Sequence, residues 1–533
     1  MVQASAGQYD YIIVGAGSAG AALAYRLTED TRNRVLLLEA GKARHWLSWM
    51  PASFGLLIDN PTANWCFRSE PETNTNNREI PVPRGKLLGG SSSINGLVFV
   101  RGQPEDFNSW AQFGNRGWSY EEVLPLFQRM EHYEGPVTRA RGTGGPVRVS
   151  EVPDQNPLYE AWFAAAEAAG FKRNRDYNGH DQEGIVKTQV TISRGRRMST
   201  AECYLKPAMH RANLRVETEA LTHRVVLEGA RCVGVIYEQG GKLHEARAGK
   251  EVILSAGGVC SPQILELSGI GRPDVLSAQG IQVRHELPSV GENLRDHLNA
   301  RIQWKVTVPN VSYNTRMAGL GKVAQVLKYA FTRGGFFSLP SAPLLAFLKT
   351  RPVLETPDIQ LHLVPYAVKN PKKRQLHEFP GMTVACYQLR PESLGSIHIR
   401  SPDPREQPAI RFNFLSHPTD QRTMVDGFRI VRKIVNATPM DPYRGEEYSP
   451  GTSVSTDDEI LDWIRANSET AYHPIGTCRM ASNGVVNDKL QVHGLSGLRV
   501  ADASIFPTMP SGNTNAPSIM VGEKAADLIL GRG

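Results

Sequence analysis

The chain has 533 residues, of which 41% are hydrophobic and 21% charged, and its formal net charge is +7. This ordinary globular composition, over a length that supports more than one domain, excludes a disordered, collagen-like or disulfide-scaffold protein. The densest basic cluster, Lys372–Lys373–Arg374, follows a proline. We interpret it as a solvated loop and expect no nucleic-acid partner.

Cysteine spacing and hydropathy indicate the compartment. The six cysteines are irregularly spaced and form no C-x-x-C pair, which argues against a zinc site and predicts reduced thiols. No apolar run approaches the roughly 18 residues of a membrane-spanning helix. Residues 1–9 lack the basic and apolar regions of a signal peptide. We therefore expect a soluble, cytoplasmic protein with no metal site and no transmembrane segment.

The first predicted elements form a dinucleotide-binding unit. A short apolar strand over 10–14 leads into Gly15-Ala16-Gly17-Ser18-Ala19-Gly20, and a helix is predicted near 18–27. In the G-x-G-x-x-G spacing, the first glycine allows a tight turn and the second lets the backbone approach a pyrophosphate. The third lets the helix pack on the strand. The amides at Ser18 and Ala19, at the helix N-terminus, suit a diphosphate.

An acidic residue completes this unit. A second strand is predicted over 34–38 and ends at Glu39, 19 residues beyond Gly20. A carboxylate there can accept hydrogen bonds from both ribose hydroxyls of an adenosine. The same carboxylate argues against a 2′-phosphate, and hence against NADP. FAD and NAD remain alternatives on this evidence alone.

Longer motifs along the chain resemble the signatures of the glucose–methanol–choline (GMC) oxidoreductases. These motifs are RGKLLGGSSSINGLVFVRG (84–102), GGVCSPQILELSGIG (257–271), AYHPIGTCRM (471–480), GLRVADAS (497–504) and SGNTNAP (511–517). Gly258 stands where that family usually has another small residue. The resemblance implies an α/β, Rossmann-like FAD-binding domain of GMC type beside an α+β substrate-binding domain with an antiparallel sheet.

The motifs also divide the chain. The FAD-binding domain is predicted to be discontinuous, comprising 1–155, 198–307 and 466–533. The substrate-binding domain is predicted to comprise 156–197 and 308–465, because 308–465 contains no dinucleotide signal. Segments of the two predicted domains are therefore expected to alternate along the chain.

The resemblance implies which loops hold the FAD. The glycine- and serine-rich loop offers unhindered amides that can wrap the diphosphate and the flavin edge. The expected contacts in this loop are Gly90, Ser91, Asn95, Gly96 and Val98. Some relatives attach the flavin covalently through a histidine just before the matching asparagine. Here that position is Ile94, which has no nucleophilic atom, so we predict non-covalent FAD.

Other cofactor contacts come from later elements. Leu498–Asp502 is predicted to return to the dinucleotide-binding sheet, with a helix over 516–530 after it. Asp502 and Ala503 then lie at the carboxyl end of a strand, near the diphosphate by resemblance, although Asp502 can also cap the following turn. Family position makes Thr222 a plausible contact on the adenine side.

The resemblance assigns a catalytic pair. His473 matches the base of the family, and a near-neutral pKa suits an imidazole to accept an alcohol proton. Asn513 occupies the partner position, where an amide can donate to the substrate oxygen. Thr514 and Asn515 are expected at the cofactor, Asn515 at the flavin. The implied reaction moves the hydroxyl proton to His473 and a hydride from the carbon to flavin N5.

The substrate is less constrained. Tyr472, Tyr366 and Phe337 are expected to line the substrate pocket, which favours an aromatic or medium-sized apolar primary alcohol over a sugar. A choline-type dehydrogenase and an FAD-containing hydroxynitrile lyase of the same fold are alternatives, and an NAD-dependent Rossmann enzyme is a third. The expected electron acceptor is O2 or a quinone- or dye-type molecule, and the sequence does not separate an oxidase from a dehydrogenase.

Overall fold

Two seven-stranded sheets form the framework of the protein. The computed structural model describes residues 3–370 and 375–532, without the side chains of residues 3–7. The basic cluster Lys372–Lys373–Arg374 lies outside the described residues. Within the part of the chain that is described, no helix is long and apolar enough to cross a membrane.

The first sheet contains the predicted dinucleotide-binding unit. Its central strand, Gln3–Val14, pairs in parallel with Val35–Leu38 and with Lys242–Leu254. The Ile-, Val- and Leu-rich parts of these segments are buried, as is typical of parallel strands. The spatial order is Leu214–Glu217, Val35–Leu38, Gln3–Val14, Lys242–Leu254, Arg231–Gln239 and Leu221–Glu228, with Leu498–Val500 also paired to Lys242–Leu254.

The helices that cover this sheet include both elements predicted at the chain ends. Helix Ser18–Leu27 follows the glycine turn, and helix Asn515–Leu530 packs on it. The two backbones approach closely at Gly522, where a Cβ atom would lie 2.3 Å from the carbonyl oxygen of Ala19. The hydroxyl of Ser18 donates to the side-chain oxygen of Asn515 at 2.7 Å, so the N-termini of the two helices lie side by side.

The second sheet is antiparallel, as the family resemblance predicted. Its strand Leu298–Val306, which we call the floor strand, pairs with Gly381–Gln388 and Arg444–Ser449. The sequence-based division assigned this strand to the FAD-binding domain, whereas its pairing partners all belong to the second sheet. In order, the strands are Arg444–Ser449, Leu298–Val306, Gly381–Gln388, Ile359–Val364, Leu344–Leu348 and Gly184–Lys187, with Glu469–Thr470 paired to Leu298–Val306.

The floor strand alternates in character. Leu298, Ala300, Ile302 and Trp304 are buried in a core that also includes residues of helix Pro418–Val435. The intervening residues are polar and face the other side, toward the first sheet, since successive side chains of a strand point to opposite faces. Other helices of six or more residues are Pro104–Gln112, Tyr120–Met130, Pro157–Ala168, Gly257–Leu267, Pro273–Ala278, Leu320–Thr332 and Asp457–Asn467.

Candidate active site

One cavity runs from the carboxyl ends of the strands of the first sheet to the polar face of the second sheet. Every predicted cofactor contact lines it except Gly20. A Cβ atom at Gly20 would lie 2.0 Å from the carbonyl oxygen of Gly15, so Gly20 serves the packing of the helix on the strand. The lining contacts are Gly15, Gly17, Ser18, Ala19, Glu39, Gly90, Ser91, Asn95, Gly96, Val98, Thr222, Asp502, Ala503, Thr514 and Asn515.

Glycines make the nucleotide half of the cavity narrow. Gly15 has φ +99°, and a Cβ atom there would lie 2.5 Å from the carbonyl oxygen of Ser255. Gly90 has φ +51°, and its Cβ would lie 2.8 Å from Cα of Gly17. Positive φ and backbone contact at this range both require glycine. The two glycine loops therefore form a cradle of backbone amides.

Glu39 lies at the end of its strand, as predicted. One carboxylate oxygen accepts from the amide of Ala16 (3.0 Å) and the other from the amide of Gly41 (2.9 Å). Burial raises the pKa of Glu39 to about 7, against the opposing effect of these two hydrogen bonds. Each oxygen keeps a second lone pair for a ligand hydroxyl, which fits the ribose role expected from the sequence.

Other groups in the nucleotide half of the cavity also suit FAD. The hydroxyl of Thr222 is buried and has no hydrogen-bond partner among the described residues, as expected for a group that awaits a ligand. The first turns of helices Ser18–Leu27 and Asn515–Leu530 contain no acidic residue, so their N-termini favour a diphosphate. A buried carboxylate at the end of its strand, a hydroxyl without a partner and two helix N-termini in one cradle fit FAD.

Asp502 and Asn515 also form hydrogen bonds with other groups of the protein. Asp502 accepts from the amide of Gly257 (2.8 Å) and the hydroxyl of Ser261 (2.6 Å), and it also caps the turn at Ser504 (2.7 Å). Asn515 accepts from the hydroxyl of Ser18 at 2.7 Å. These side chains therefore fix the loops around the cavity in addition to lining it.

The predicted catalytic pair meets at the junction of the two halves. Nδ2 of Asn513 lies 3.1 Å from Nε2 of His473, and both residues line the cavity. Asn513 Oδ1 in turn accepts from Nε2 of Gln360 at 3.3 Å. Because Gln360 donates to the oxygen of Asn513, the amide nitrogen of Asn513 is the atom that faces His473.

A strained turn positions His473. Tyr472 has φ +72°, a left-handed conformation that costs a non-glycine residue about 1–3 kcal/mol. Its amide donates to the hydroxyl of Thr470 at 2.7 Å, and its carbonyl accepts from Arg84. The amide of His473 donates to Asp296 at 2.8 Å. The backbone at Tyr472 and His473 is thus held by fixed hydrogen-bond partners.

A second buried histidine determines which nitrogen of His473 carries the proton. Nε2 of His297 lies 2.9 Å from the carbonyl oxygen of Leu389, and Nδ1 of His297 lies 2.9 Å from Nδ1 of His473. A carbonyl only accepts, so His297 is protonated at Nε2. Burial lowers the pKa of His297 to about 4, which leaves Nδ1 as an acceptor. His473 therefore donates from Nδ1, and its Nε2 is unprotonated.

The electrostatic surroundings keep His473 neutral. Burial is the main cause that holds its pKa well below the usual range, and the positive charges that His297, Arg84 and His362 can carry lower it further. The pKa of His362 is itself lowered to about 3 by burial and by Arg301. The cavity thus presents an unprotonated imidazole nitrogen at neutral pH.

The floor strand supplies a polar wall of the cavity. Asn299, Arg301 and Gln303 line the cavity. The side-chain oxygens of Asn299 and Gln303 are buried without a hydrogen-bond partner among the described residues. Arg301 donates to Glu469 at 2.6 Å. A bound molecule with hydrogen-bonding groups would satisfy this wall better than a purely apolar one.

Two of the three aromatic residues expected at the substrate pocket line the cavity. Tyr472 and Tyr366 line the cavity, whereas Phe337 does not. Phe337 packs instead against Phe336 and Tyr329, with ring centroids 5.6 and 6.2 Å apart. The expectation for Phe337 rested on aromatic character, which is equally suited to an aromatic cluster beside the cavity.

Sequence reasoning missed His297 and the polar face of the floor strand. The strand offered a signal, since Asn299, Arg301 and Gln303 alternate with apolar residues over 298–304. His297 offered none, because it meets His473 across 176 residues of chain. Among the described residues, no group of three or more His, Cys, Asp or Glu side chains is placed to hold a metal ion. All six cysteines are free.

Comparison with known proteins gives the family of the chain. Two profiles described as GMC oxidoreductase match residues 9–299 and 391–522. The chain is 44% identical to an oxygen-dependent choline dehydrogenase of Rhizobium etli over 530 residues, which cover 98% of this chain and 96% of that protein.

Solved structures show the same fold. Pyridoxine 4-oxidase from Mesorbium loti superposes with a TM-score of 0.88 at 28% identity, covering 97% of this chain and 98% of that one. A formate oxidase variant from Aspergillus oryzae RIB40 gives a TM-score of 0.90 at 28% identity, covering 99% of each chain. The FAD cofactor and the fold predicted from the motifs are confirmed. The chain therefore belongs to the GMC oxidoreductase family and is an FAD-dependent alcohol oxidoreductase.

Proposed function

We propose that the protein oxidises a primary alcohol to the aldehyde with His473 as the base and Asn513 as the donor to the substrate oxygen. The observation that carries this proposal is the 3.1 Å contact between Nε2 of His473 and Nδ2 of Asn513 on the cavity wall. A hydroxyl group that inserts there can donate to the first atom and accept from the second.

The residues of the chain perform the proton chemistry. His473 accepts the hydroxyl proton at Nε2 while the O–H bond breaks, and Asn513 stabilises the negative charge that develops on the oxygen. The carbonyl forms as a hydride leaves the adjacent carbon, and acceptance of that hydride is the chemistry that FAD supplies when bound. His297 accepts from His473 Nδ1 throughout, which keeps the reactive nitrogen directed into the cavity.

The relatives support a choline-type substrate ahead of the aromatic alcohol expected from the sequence. The similar choline dehydrogenases align over nearly the whole chain. The polar floor strand also suits a small polar alcohol better than an aromatic one. Choline is therefore the first substrate to test.

One observation favours a second candidate, a small polar alcohol without a positive charge. Arg301 lines the cavity, and the carboxylates that line the described cavity, Glu39 and Asp502, belong to its nucleotide half. A quaternary ammonium group beside Arg301 would face a like charge, which Glu469 offsets only in part.

Two further expectations remain part of the proposal. Ile94 lines the cavity without a nucleophilic atom, which supports non-covalent FAD. The free cysteines support a reducing compartment such as the cytoplasm. The proposed electron acceptor is O2 or a quinone- or dye-type molecule.

Anaerobic mixing of the yellow holoenzyme with alcohols tests the proposal. The panel contains choline, its uncharged carbon isostere and benzyl alcohol, and loss of flavin absorbance reports hydride transfer. We expect His473→Ala to retain FAD and to lose at least about a hundredfold in the rate of flavin reduction. Near-normal reduction in His473→Ala would overturn the role of the base, and absence of reduction by every alcohol would favour the lyase alternative. Flavin that stays on the denatured chain would refute non-covalent binding.

A further inference from the structure

Helix Leu320–Thr332, which we call the outer helix, turns its apolar side to solvent. Of its residues only Tyr329 is buried, and Leu320 and Phe331 are 87% and 83% exposed. At about 100° per residue, the apolar residues occupy one continuous arc. That arc consists of Leu320, Val323, Ala324, Val326, Leu327, Ala330 and Phe331. Helices on the surface of a globular domain normally turn such an arc toward the core.

Polar contacts on the opposite side fix this orientation. The hydroxyl of Tyr329 donates to the carbonyl of Gly195 at 2.8 Å, and Oε1 of Gln325 accepts from the amide of Phe336 at 3.0 Å. The ring of Tyr329 also stacks on Trp49 at 5.7 Å. Since the polar arc is bonded to the protein, the apolar arc is held outward.

A neighbouring segment extends the apolar surface. Trp46 is 74% exposed, and Leu56 projects from the same segment. Trp49 links this segment to the outer helix through Tyr329. We call the apolar arc together with Trp46 and Leu56 the apolar patch. Exposed apolar side chains on two segments that contact each other mark an interaction surface.

The charged side chains of the two segments that form the patch are all positive. No Asp or Glu occurs over 297–354 or over 40–58, the two segments that build it. Lys322, Lys328 and Arg44 are exposed, and none of them forms an ion pair within the described residues. Apolar and aromatic side chains beside unpaired cations are the combination that binds the interface of an anionic membrane.

We propose that the apolar patch docks on a bilayer surface rich in anionic phospholipids. A second copy of the chain is a poorer partner, because two-fold pairing of the patch would bring Lys322, Lys328 and Arg44 near their own counterparts without any carboxylate. The patch also adjoins the active-site cavity. Phe54 and Ile58 line the cavity, while Leu56 between them belongs to the patch. Docking therefore brings one wall of the cavity to the membrane.

Cosedimentation of the holoenzyme with lipid vesicles tests the proposal. Vesicles of phosphatidylcholine with about one-third phosphatidylglycerol are compared with pure phosphatidylcholine. We expect binding to the anionic vesicles that weakens as salt is raised. The double variant Leu327→Glu, Phe331→Glu should bind at least about tenfold more weakly. The control Val137→Glu, Val353→Glu places the same charges at other exposed valines and should bind like the unchanged protein.

Two further readouts make the outcome decisive. Both double variants should reduce a soluble dye at the unchanged rate, because the altered residues lie outside the cavity. Fluorescence of Trp46 should shift to the blue on anionic vesicles, and Trp46→Phe should remove that shift. Failure of the unchanged protein to bind anionic vesicles would overturn the proposal, as would equal binding of the outer-helix variant. A stable dimer that Leu327→Glu, Phe331→Glu converts to a monomer, without vesicle binding, would assign the patch to a second copy instead.

Discussion

His297 and His473 share a single proton between their Nδ1 atoms, which lie 2.9 Å apart. Because Nε2 of His297 donates to the carbonyl of Leu389, that shared proton belongs to His473. The contact leaves Nε2 of His473 unprotonated and directed at Asn513. A carboxylate in the position of His297 would stabilise the protonated, imidazolium form of His473. The neutral imidazole of His297 only orients the ring of His473.

Substitutions at His297 should separate orientation from folding. His297→Leu removes the acceptor, so His473 can adopt the tautomer with a proton on Nε2, and we expect flavin reduction to slow by about a hundredfold with FAD retained. His297→Asn offers a carbonyl to His473 and an amide to Leu389, and it should recover most of the rate. Stopped-flow reduction with flavin content as the control distinguishes the two. Equal rates in both variants would show that the contact is only structural.

The rate of flavin reduction should begin to fall only at a pH well below 6.5. The pKa of His473 is held well below its ordinary value of 6.5, mainly by burial, so the neutral base is fully present above pH 6.5 and persists as the pH falls through that value. We expect the anaerobic rate of flavin reduction to stay flat from about pH 8.5 to about pH 6. A profile that halves near pH 6.5 would contradict this expectation.

Arg301 should influence substrate charge preference. Arg301→Gln removes the positive charge from the cavity and releases Glu469, so choline should gain about tenfold in kcat/KM relative to its uncharged isostere. The control Lys305→Gln alters a cation on the same strand that does not line the cavity. Steady-state kinetics with both alcohols measure the ratio, and an unchanged ratio would remove Arg301 from substrate recognition.

Glu39 should contribute to flavin retention. Both of its oxygens accept from backbone amides, and Glu39→Gln replaces one of them with a donor that faces an N–H group. We expect the Kd for FAD to rise by about tenfold to a hundredfold. Measurement of flavin content after dialysis checks this, with the exposed Glu286→Gln as the matched control. Full retention of flavin by Glu39→Gln would contradict the role.

His398 should make stability depend on pH. Burial lowers the pKa of His398, but its hydrogen bonds with Glu266 and Glu292 outweigh that effect and raise the pKa to about 9. The stabilisation is therefore complete below pH 6.5 and is lost as the pH rises through about 9. His398→Gln should lower the unfolding free energy at pH 6 more than at about pH 10. Denaturant unfolding at both values measures the difference, and equal losses would refute it.

The parts of the site that follow local sequence rules could be predicted. The glycine turn, helix Ser18–Leu27 and Glu39 form one contiguous unit, so their spacing alone carries the geometry. The pairing of the floor strand with the second sheet could not be predicted, because nothing in the composition changes where the chain passes from one sheet to the other. His297 was missed because tertiary packing, and not sequence spacing, brings it to His473. The position of Phe337 outside the cavity lining could not be predicted, because aromatic character does not distinguish a cavity wall from an aromatic cluster next to it.

The floor strand has a consequence for how this enzyme could diversify. It begins one residue after His297, and its cavity-facing residues follow at every second position. Evolution or a protein engineer can therefore exchange Asn299, Arg301 and Gln303 to accept new molecules while the hydrophobic side chains between them preserve the scaffold. Acquisition of a new substrate and retention of the proton-handling machinery are thus separable along a single ten-residue stretch.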